Sequence, residues 1–422
     1  ADALGWQDQP QQIKADERCT YNVASVSKIY CTAAVMVLVQ RGLIDLDTPV
    51  VEYVPEFTML DEDYKKITVR HLLNHASGLP GTQWKGFSVT ALTKRDYDEE
   101  VLNYLANSHL KAKPGEYSVY CNDGFTLAEI VVARVSGQRY SDFLRENITG
   151  PIQADSTRTI EDRNPDFPLV HEKAKPAELL LVEGAGGLTT SMIDLCKFGQ
   201  LFLSENPILS EASKQEMAKP QGVSFLAQDQ KSPSYGLGWD TVCFSDPDFD
   251  LGEGVLRKGG NSFQFTSQLI IIPKYNAVLA ISETHDCKID VTQAALHILA
   301  QWLLQHKGIS IYKRAQPIPP AVVEARSGIY LMPSAIATVV MQGAIAHFQD
   351  TPLKGQPYPW ESYLRYDGQR WIANEKVSYF FAEAQGDEYL MSEMNGVCYP
   401  VAMKAKAFAP LSETWKQRLN HR

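Results

Sequence analysis

Apolar positions along the chain change their rhythm twice. Between residues 26 and 41 they recur at helical spacing, with Ile29, Ala33 and Val37 in one row, Met36 and Val39 beside it, and Gly42 as a stop. "ITVRHLLNHAS" (67–77) reads as a short helix ending at Gly78-Leu79-Pro80, and 97–108 and 124–136 as further helices. In 185–204, "AGGLTTSMIDLCKFGQLFLS", a glycine turn leads through a Thr/Ser cap into an amphipathic helix. The period then shortens. Residues 235–244 (YGLGWDTVCF), 264–273 (QFTSQLIIIP) and 276–283 (NAVLAISE) read as strands, and 290–306 returns to a helix. The second change follows "RAQPIPPAVVEARSG" (314–328), whose prolines mark a domain boundary. Beyond it lie short aromatic-rich runs, separated by turn signals such as Asp367-Gly368 and Asn395-Gly396. They predict a small antiparallel barrel or sandwich.

A chain of 422 residues is long enough for two or three domains. Hydrophobic content of 44% with 21% charged residues is that of an ordinary globular protein, and no apolar run approaches the ~20 residues of a membrane span. A net charge of −10 argues against a nucleic-acid surface. Seven cysteines (19, 31, 121, 196, 243, 287, 398) show no CxxC pairing, so no zinc framework is expected. Most read as buried small apolar residues, a usage that leans towards a reduced setting. The first residues, ADALGWQDQP, lack the basic-then-apolar pattern of a secretory signal, so either the protein is cytosolic or a signal has been removed or omitted.

Chemistry enters at "NVASVSKIYCTAAVMVLVQRG" (22–42), where Ser25 and Lys28 stand three apart at the head of the first helix. Serine needs an adjacent base to attack, and a desolvated lysine can be one. Residues i and i+3 share a helix face, and the N–H groups of a helix start can form half of an oxyanion site. The spacing alone is weak evidence. It recurs at Ser310–Lys313, which runs into prolines that no helix tolerates, and a capping serine beside a solvated lysine satisfies it equally. Tyr120-Cys121-Asn122 is the only Tyr-x-Asn in the chain and precedes a predicted helix; a tyrosine near a lysine can shuttle a proton, and an amide can hold a substrate carbonyl. Lys258-Gly259-Gly260-Asn261 precedes the strand 264–273, and its glycines would let a substrate lie against the backbone. Taken singly, a packed tyrosine and a plain turn explain these two motifs.

Ser-x-x-Lys, Tyr-x-Asn and Lys-x-Gly in this order resemble the signature of the penicillin-recognising serine hydrolases, in the branch holding class C β-lactamases, D-aminopeptidases, carboxypeptidases and family VIII esterases. "KITVRHLLNHASGLPG", "PGEYSVYCNDGFTLAEIVVARVSGQ", "GAGGLTTSMIDLCKFGQLFL", "YGLGWD" and "KGGNSFQFTSQLIIIP" carry the resemblance over roughly residues 1–305. It implies an α+β fold, an antiparallel sheet flanked by helices with a mainly helical subdomain. The hydrolase domain would span 1–308, with the helical subdomain within about 45–185. A linker at 309–326 and a lipocalin-like β-barrel domain at 327–422 would follow. Ser25 would be the acylated nucleophile. Lys28 would take its proton or hold Tyr120 as the base, and Tyr120 would shuttle protons. Asn122 would hold the substrate amide, and Lys258 would position Tyr120 and a substrate carboxylate. The oxyanion hole would be the N–H groups of Ser25 and Asn261, with Gly259 and Gly260 lining the substrate strand.

Three departures qualify this expectation. The third motif is Lys-Gly-Gly rather than Lys-Thr-Gly, so a hydroxyl that helps bind a β-lactam carboxylate is missing unless Ser262 replaces it. Cys121 is unusual at the centre of the second motif. Family members also carry a helix and two strands ahead of the "ALGW"-like segment. The expected function is an acyl-enzyme peptidase or amidase on small or D-residue-containing peptides. Esterase or β-lactamase activity and a catalytically silent binding protein are the alternatives. The resemblance implies an extracytoplasmic setting, a small-molecule or short-peptide substrate and no cofactor or metal. His71 and His75, four apart, lack a neighbouring Glu and a third ligand. The acidic residues Asp246, Asp248, Asp250 and Glu253 read as a solvated loop or a cleft wall for cationic substrates, and Trp84 and Phe87 as loop packing or a pocket wall.

Overall fold

The helix at the nucleophile motif forms as Ser27–Gln40 (α1), preceded by a 3₁₀ turn at Ala24–Val26 that holds Ser25. Every side chain from Ser27 to Leu38 is buried. A helix without a polar face belongs in a core, and α1 runs through the centre of its unit. It packs on Asn122–Ser136 (α4) and Glu183–Gly186 (α6). The chain between them contributes Val69–Leu73 (α2), Tyr97–Ala106 (α3) and Tyr140–Leu144 (α5). Then come Met192–Gln200 (α7), whose Ser191 cap accepts from Asp194 N–H as its sequence suggests, and Glu211–Ala218 (α8).

A computed structural model describes residues 1–406 apart from 9, 90–95, 160–161, 163–165, 171–177, 225–233, 247, 285–289, 314–316, 333–334, 344, 353–360, 375–376, 385 and 395–396. The turn at Asn395-Gly396 and Cys287 therefore lie outside the described residues. The chain divides into two units, Ala1–Phe244 with Leu251–Ser310, and Ser245–Asp250 with Ile311–Arg422.

In the first unit, short strands Trp6–Asp8 (β1) and Ile13–Lys14 (β2) pair with each other. Tyr21–Asn22 (β3), Leu188–Thr190 (β7) and Arg158–Thr159 (β5) form a small sheet, and Ser88–Val89 (β4) pairs with Leu179–Leu180 (β6). The principal sheet is antiparallel: Leu256–Asn261 (β8), Phe265–Ile272 (β9) and Ala277–Thr284 (β10), in the order β10-β9-β8. Val291–Lys307 (α9) and α7 pack against it. The run Phe265–Ile272 is almost wholly buried, as expected of a strand covered on both faces.

Residues 235–244, predicted as a strand, form an irregular segment whose one bridge among the described residues is Thr241 to Arg257. Gly238 explains the difference. Its φ is +78°, and a Cβ there would lie 2.4 Å from Thr32 Oγ1 and 3.2 Å from the Lys28 carbonyl. The segment bends to lie on α1, and Trp239 is fully buried.

In the second unit, eight strands close into an up-and-down antiparallel barrel: Gly328–Leu331 (β11), Ala335–Gln342 (β12), Ile345–Pro352 (β13), Glu361–Tyr366 (β14), Trp371–Asn374 (β15), Val377–Ala384 (β16), Asp387–Met394 (β17) and Val397–Lys404 (β18). β18 pairs back onto β11, so no edge is left open. Alternate residues fill the interior, among them Tyr330, Phe348, Leu364, Trp371 and Leu390. Part of the stretch expected as a linker is helical, Pro320–Arg326 (α10), and Tyr330 Oη donates to the Arg326 carbonyl at 2.9 Å. Asp246, Asp248 and Asp250 fall in this unit, where Asp250 N–H donates to the Ile311 carbonyl. The decoy Ser310–Lys313 forms no helix.

Gly238→Ala combines a left-handed backbone with a clash against α1. It is expected to destabilise the protein by about 2 kcal/mol or more, read as a lowered urea midpoint; an unchanged midpoint would show that the segment moves freely off α1.

Candidate active site

Ser25 sits in the 3₁₀ turn rather than in the helix proper. The residue before it, Ala24, has φ +45°, a left-handed conformation that costs a non-glycine residue roughly 1–2 kcal/mol. Two side chains clamp it: Asn22 Oδ1 accepts from Ala24 N–H (2.8 Å), and Ser27 Oγ donates to the Ala24 carbonyl (2.7 Å) while accepting from Leu188 N–H (3.1 Å). Gly260 of β8 lies against the same backbone, where a Cβ would come within 2.1 Å of the Val23 oxygen and 3.0 Å of Ser25 N. Only glycine admits that approach, which brings the end of β8, with Asn261, alongside the Ser25 turn.

Lys28 is fully buried one helical turn on. Its Nζ donates to Ser25 Oγ (3.1 Å), Asn122 Oδ1 (2.7 Å) and the Ala185 carbonyl of α6 (2.6 Å). An ammonium has three protons, and all three are used. In the neutral amine one of these positions becomes a lone pair that can accept the Ser25 proton. Burial, with repulsion from Lys258, holds the Lys28 pKa below its ordinary value, against the opposing pull of Tyr120.

Asn122 opens α4, and its own N–H and that of Asp123 are both accepted by the Gly81 carbonyl. Because the Lys28 ammonium only donates, the Asn122 oxygen faces it, which turns the amide nitrogen to Thr82 Oγ1 (3.0 Å). One amide proton then remains for a further acceptor.

Tyr120 is the meeting point of the two lysines. Lys258 Nζ donates to its hydroxyl (3.3 Å), and Lys28 Nζ lies 4.9 Å from its ring centroid. Burial pushes the phenol up, but the charges of Lys258 and Lys28 outweigh it and bring the pKa below that of ordinary tyrosine. Lys258 is also buried, and burial pulls it down, yet Asp240 and Tyr120 together leave it raised. His75, the second histidine of the suspected metal pair, stacks on Tyr120 at 4.4 Å. Its Nδ1 accepts from Cys121 N–H (3.1 Å), so the ring is neutral and its proton sits on Nε2. His71 instead caps α2, with its Nδ1 accepting from Thr68 N–H.

The structure thus gathers Ser25, Lys28, Tyr120, Asn122 and Lys258 from three separate stretches, with Gly259, Gly260 and Asn261 along one side. It adds partners that spacing does not mark. Asp240 lies in "YGLGWD" and binds Lys258 Nζ at 2.7 Å and Gly259 N–H at 2.9 Å; Thr82 and Asn22 support the motifs from outside them, and Ser27 from an unmarked position within the first. Only the proximity of "YGLGWD" to the third motif could have pointed to Asp240. Trp84, Phe87 and Phe263 form a line of ring contacts, 5.1 and 5.7 Å between centroids, beginning two residues beyond Asn261.

The family profile for Beta-lactamase matches residues 1–295. The chain belongs to the beta-lactamase family. It is a serine hydrolase with a penicillin-binding-protein fold and an added C-terminal barrel. Penicillin-binding protein 4* of Bacillus subtilis is 22% identical over 364 residues, 80% of this chain and 78% of that protein. The D-alanyl-D-alanine-carboxypeptidase/endopeptidase AmpH of Escherichia coli is 26% identical over 265 residues, 60% of this chain and 68% of its own length. Among solved structures, the octameric penicillin-binding protein homologue from Pyrococcus abyssi superposes with a TM-score of 0.58 at 19% identity, covering 95% of this chain and 92% of that one. Among the described residues, no helix is long and apolar enough to cross a membrane.

Gly260→Ala should displace β8 from the Ser25 turn. A misplacement of about 1 Å costs on the order of 10²-fold in rate, so labelling of Ser25 by a fluorophosphonate is expected to slow by that factor. A labelling rate equal to wild type would mean that β8 does not align the site.

Proposed function

We propose that the protein is an amidase or peptidase acting on small amides and short peptides, including those with D-residues, through an acyl-enzyme on Ser25. The observation that carries this reading is the placement of Ser25 Oγ 3.1 Å from a buried lysine with lowered pKa, beside a tyrosine whose phenol two lysines acidify. Ser25 Oγ attacks the scissile carbonyl carbon as its proton passes to Tyr120 or Lys28. The carbonyl oxygen becomes an oxyanion, received by the N–H groups of Ser25 and Asn261. Collapse breaks the C–N bond, and the same proton leaves on the amine. Water then attacks the ester, giving its proton to the base, and the Ser25 hydroxyl is restored as the acid departs. Asn122, with one amide proton left, receives the carbonyl of the substrate's acyl portion. Lys258 keeps Tyr120 poised in its basic form. The similarity to the D-alanyl-D-alanine-carboxypeptidase/endopeptidase AmpH of Escherichia coli supports a peptide-like substrate.

A panel of D-amino-acid amides, p-nitrophenyl esters and nitrocefin on one preparation tests the reaction class. Amide turnover is expected to exceed nitrocefin turnover, and the reverse order would make the protein a β-lactamase.

Ser25→Ala should abolish covalent labelling with the fold intact by circular dichroism. Tyr120→Phe should lower kcat by about 10²–10⁴-fold, the scale of general acid–base catalysis; near-normal turnover would remove Tyr120 from the chemistry.

The base form of Tyr120 is the deprotonated one, and its pKa is lowered. Activity is therefore present above that pKa and lost as pH falls through it. The rising limb of kcat/KM is expected below about pH 10, the ordinary tyrosine value, and a limb at or above it would contradict the assignment.

A further inference from the structure

The departure at the third motif has a partner in space. At Gly259, where related hydrolases carry a hydroxyl-bearing residue, the backbone N–H donates to Asp240 Oδ2 at 2.9 Å, and Lys258 Nζ donates to Asp240 Oδ1 at 2.7 Å. A Cβ at Gly259 would lie 3.5 Å from Asp240 Oδ2 and 3.0 Å from Gln268 Nε2, tighter than ordinary contact on the glutamine side. Asp240 thus sits within ordinary contact of the Gly259 position and is bound by both its backbone N–H and Lys258. Asp240 occupies the position against Lys258 and the β8 backbone that a substrate carboxylate would need. Its side chain keeps 35% of its accessible surface, so it also faces outward, whereas Lys258 is 1% exposed behind it.

Charge counting points the same way. The Lys258 ammonium is already paired with Asp240, and Lys28 is held towards neutrality, so an incoming carboxylate meets an anion before it meets a free cation. A second carboxylate stands at the far end of β8. Glu178 is 5% exposed, its Oε1 accepts from Phe263 N–H at 2.8 Å, and its Oε2 has no hydrogen-bond partner among the described residues. A buried carboxylate oxygen without a donor is costly, and a cationic group would relieve it.

We propose that this site selects substrates carrying a free ammonium next to the scissile carbonyl, as in amino-acid amides and the amino ends of short peptides, and disfavours those carrying a carboxylate there, with Asp240 as the specificity-determining anion. This rests on the acyl-enzyme reading above, and it narrows that reading from amides in general to an amine-directed amidase or aminopeptidase. Ionic selection of this kind does not require a large pocket, because the discriminating group is a charge rather than a shape.

Protection of Ser25 from fluorophosphonate labelling tests the proposal without needing fast turnover. The competitors are D-phenylalanine amide, which carries the ammonium, N-acetyl-D-phenylalanine amide, which is neutral, and 2-benzylmalonamate, which keeps the amide and carries a carboxylate in the ammonium's place. The ammonium compound is expected to protect at least tenfold better than the carboxylate compound at pH 7. The advantage over the neutral amide should shrink as pH rises past about 8, where an α-amino group loses its proton. Asp240→Asn should erase most of the preference between the ammonium and carboxylate compounds. Equal or reversed protection in the wild type overturns the proposal. A preference that survives unchanged in Asp240→Asn, or equal weakening of all three competitors, reduces Asp240 to a positioning partner of Lys258 and overturns its selective role. A Ser25 that the probe never labels sinks the acyl-enzyme reading itself, a different failure from labelling without charge preference.

Discussion

Two buried lysines converge on one phenol, and the architecture of the first unit answers that constraint. Burying an ammonium carries an effective penalty of several kcal/mol unless hydrogen bonds and countercharge replace its water. Lys28 receives Ala185 O and Asn122 Oδ1; Lys258 receives Asp240 and Gly259 O. Those acceptors come from α6, the start of α4, the 235–244 segment and β8. Lys28 thereby holds α6 and the start of α4 to α1, and Lys258 holds the 235–244 segment to β8, by polar bonds. The strained Ala24 belongs to the same arrangement, since Asn22 and Ser27 keep the turn in a conformation that alanine would otherwise leave.

The two lysines do not do the same work. Lys28 has only neutral acceptors besides its contact with Tyr120, so burial dominates and its ammonium form is disfavoured. Lys258 has a carboxylate, so its charge is retained. One lysine suited to take a proton and one suited to stay charged, facing the same tyrosine, is how an environment separates groups of identical chemistry. The barrel meets a different physical demand. Its closure pairs every strand with two neighbours and removes the open edges of a sheet, and its inward residues, Tyr330, Phe348 and Trp371 among them, make a core of its own.

Periodicity carried much of the fold. The long helices α1, α4 and α9, the strands β9 and β10 and the strand-rich C-terminal region follow from patterns that local physics reads directly, because burial of one face imposes its period on the sequence. It failed at 235–244, where apolar and glycine residues alternate as in a strand. Gly238 bends that stretch onto α1, and a contact with Thr32, some two hundred residues away, is invisible to a local window. The candidate site divided in the same way. Ser25 and Lys28 are neighbours by helical spacing, and motif order assembled Tyr120, Asn122 and Lys258 around them. Asp240, Thr82 and the Ala185 carbonyl belong to no spacing rule.

The sequence by itself placed a serine and a lysine on one helix face, and its resemblance to the penicillin-recognising hydrolases, carried by three motifs in order, brought a tyrosine and a second lysine to the same site. What surrounds that site was decided by the tertiary structure. Losing a side chain at Gly259 reads, along the chain, as an absent hydroxyl. In space the Gly259 N–H and Lys258 both bind Asp240, a carboxylate that only folding brings in from a distant turn.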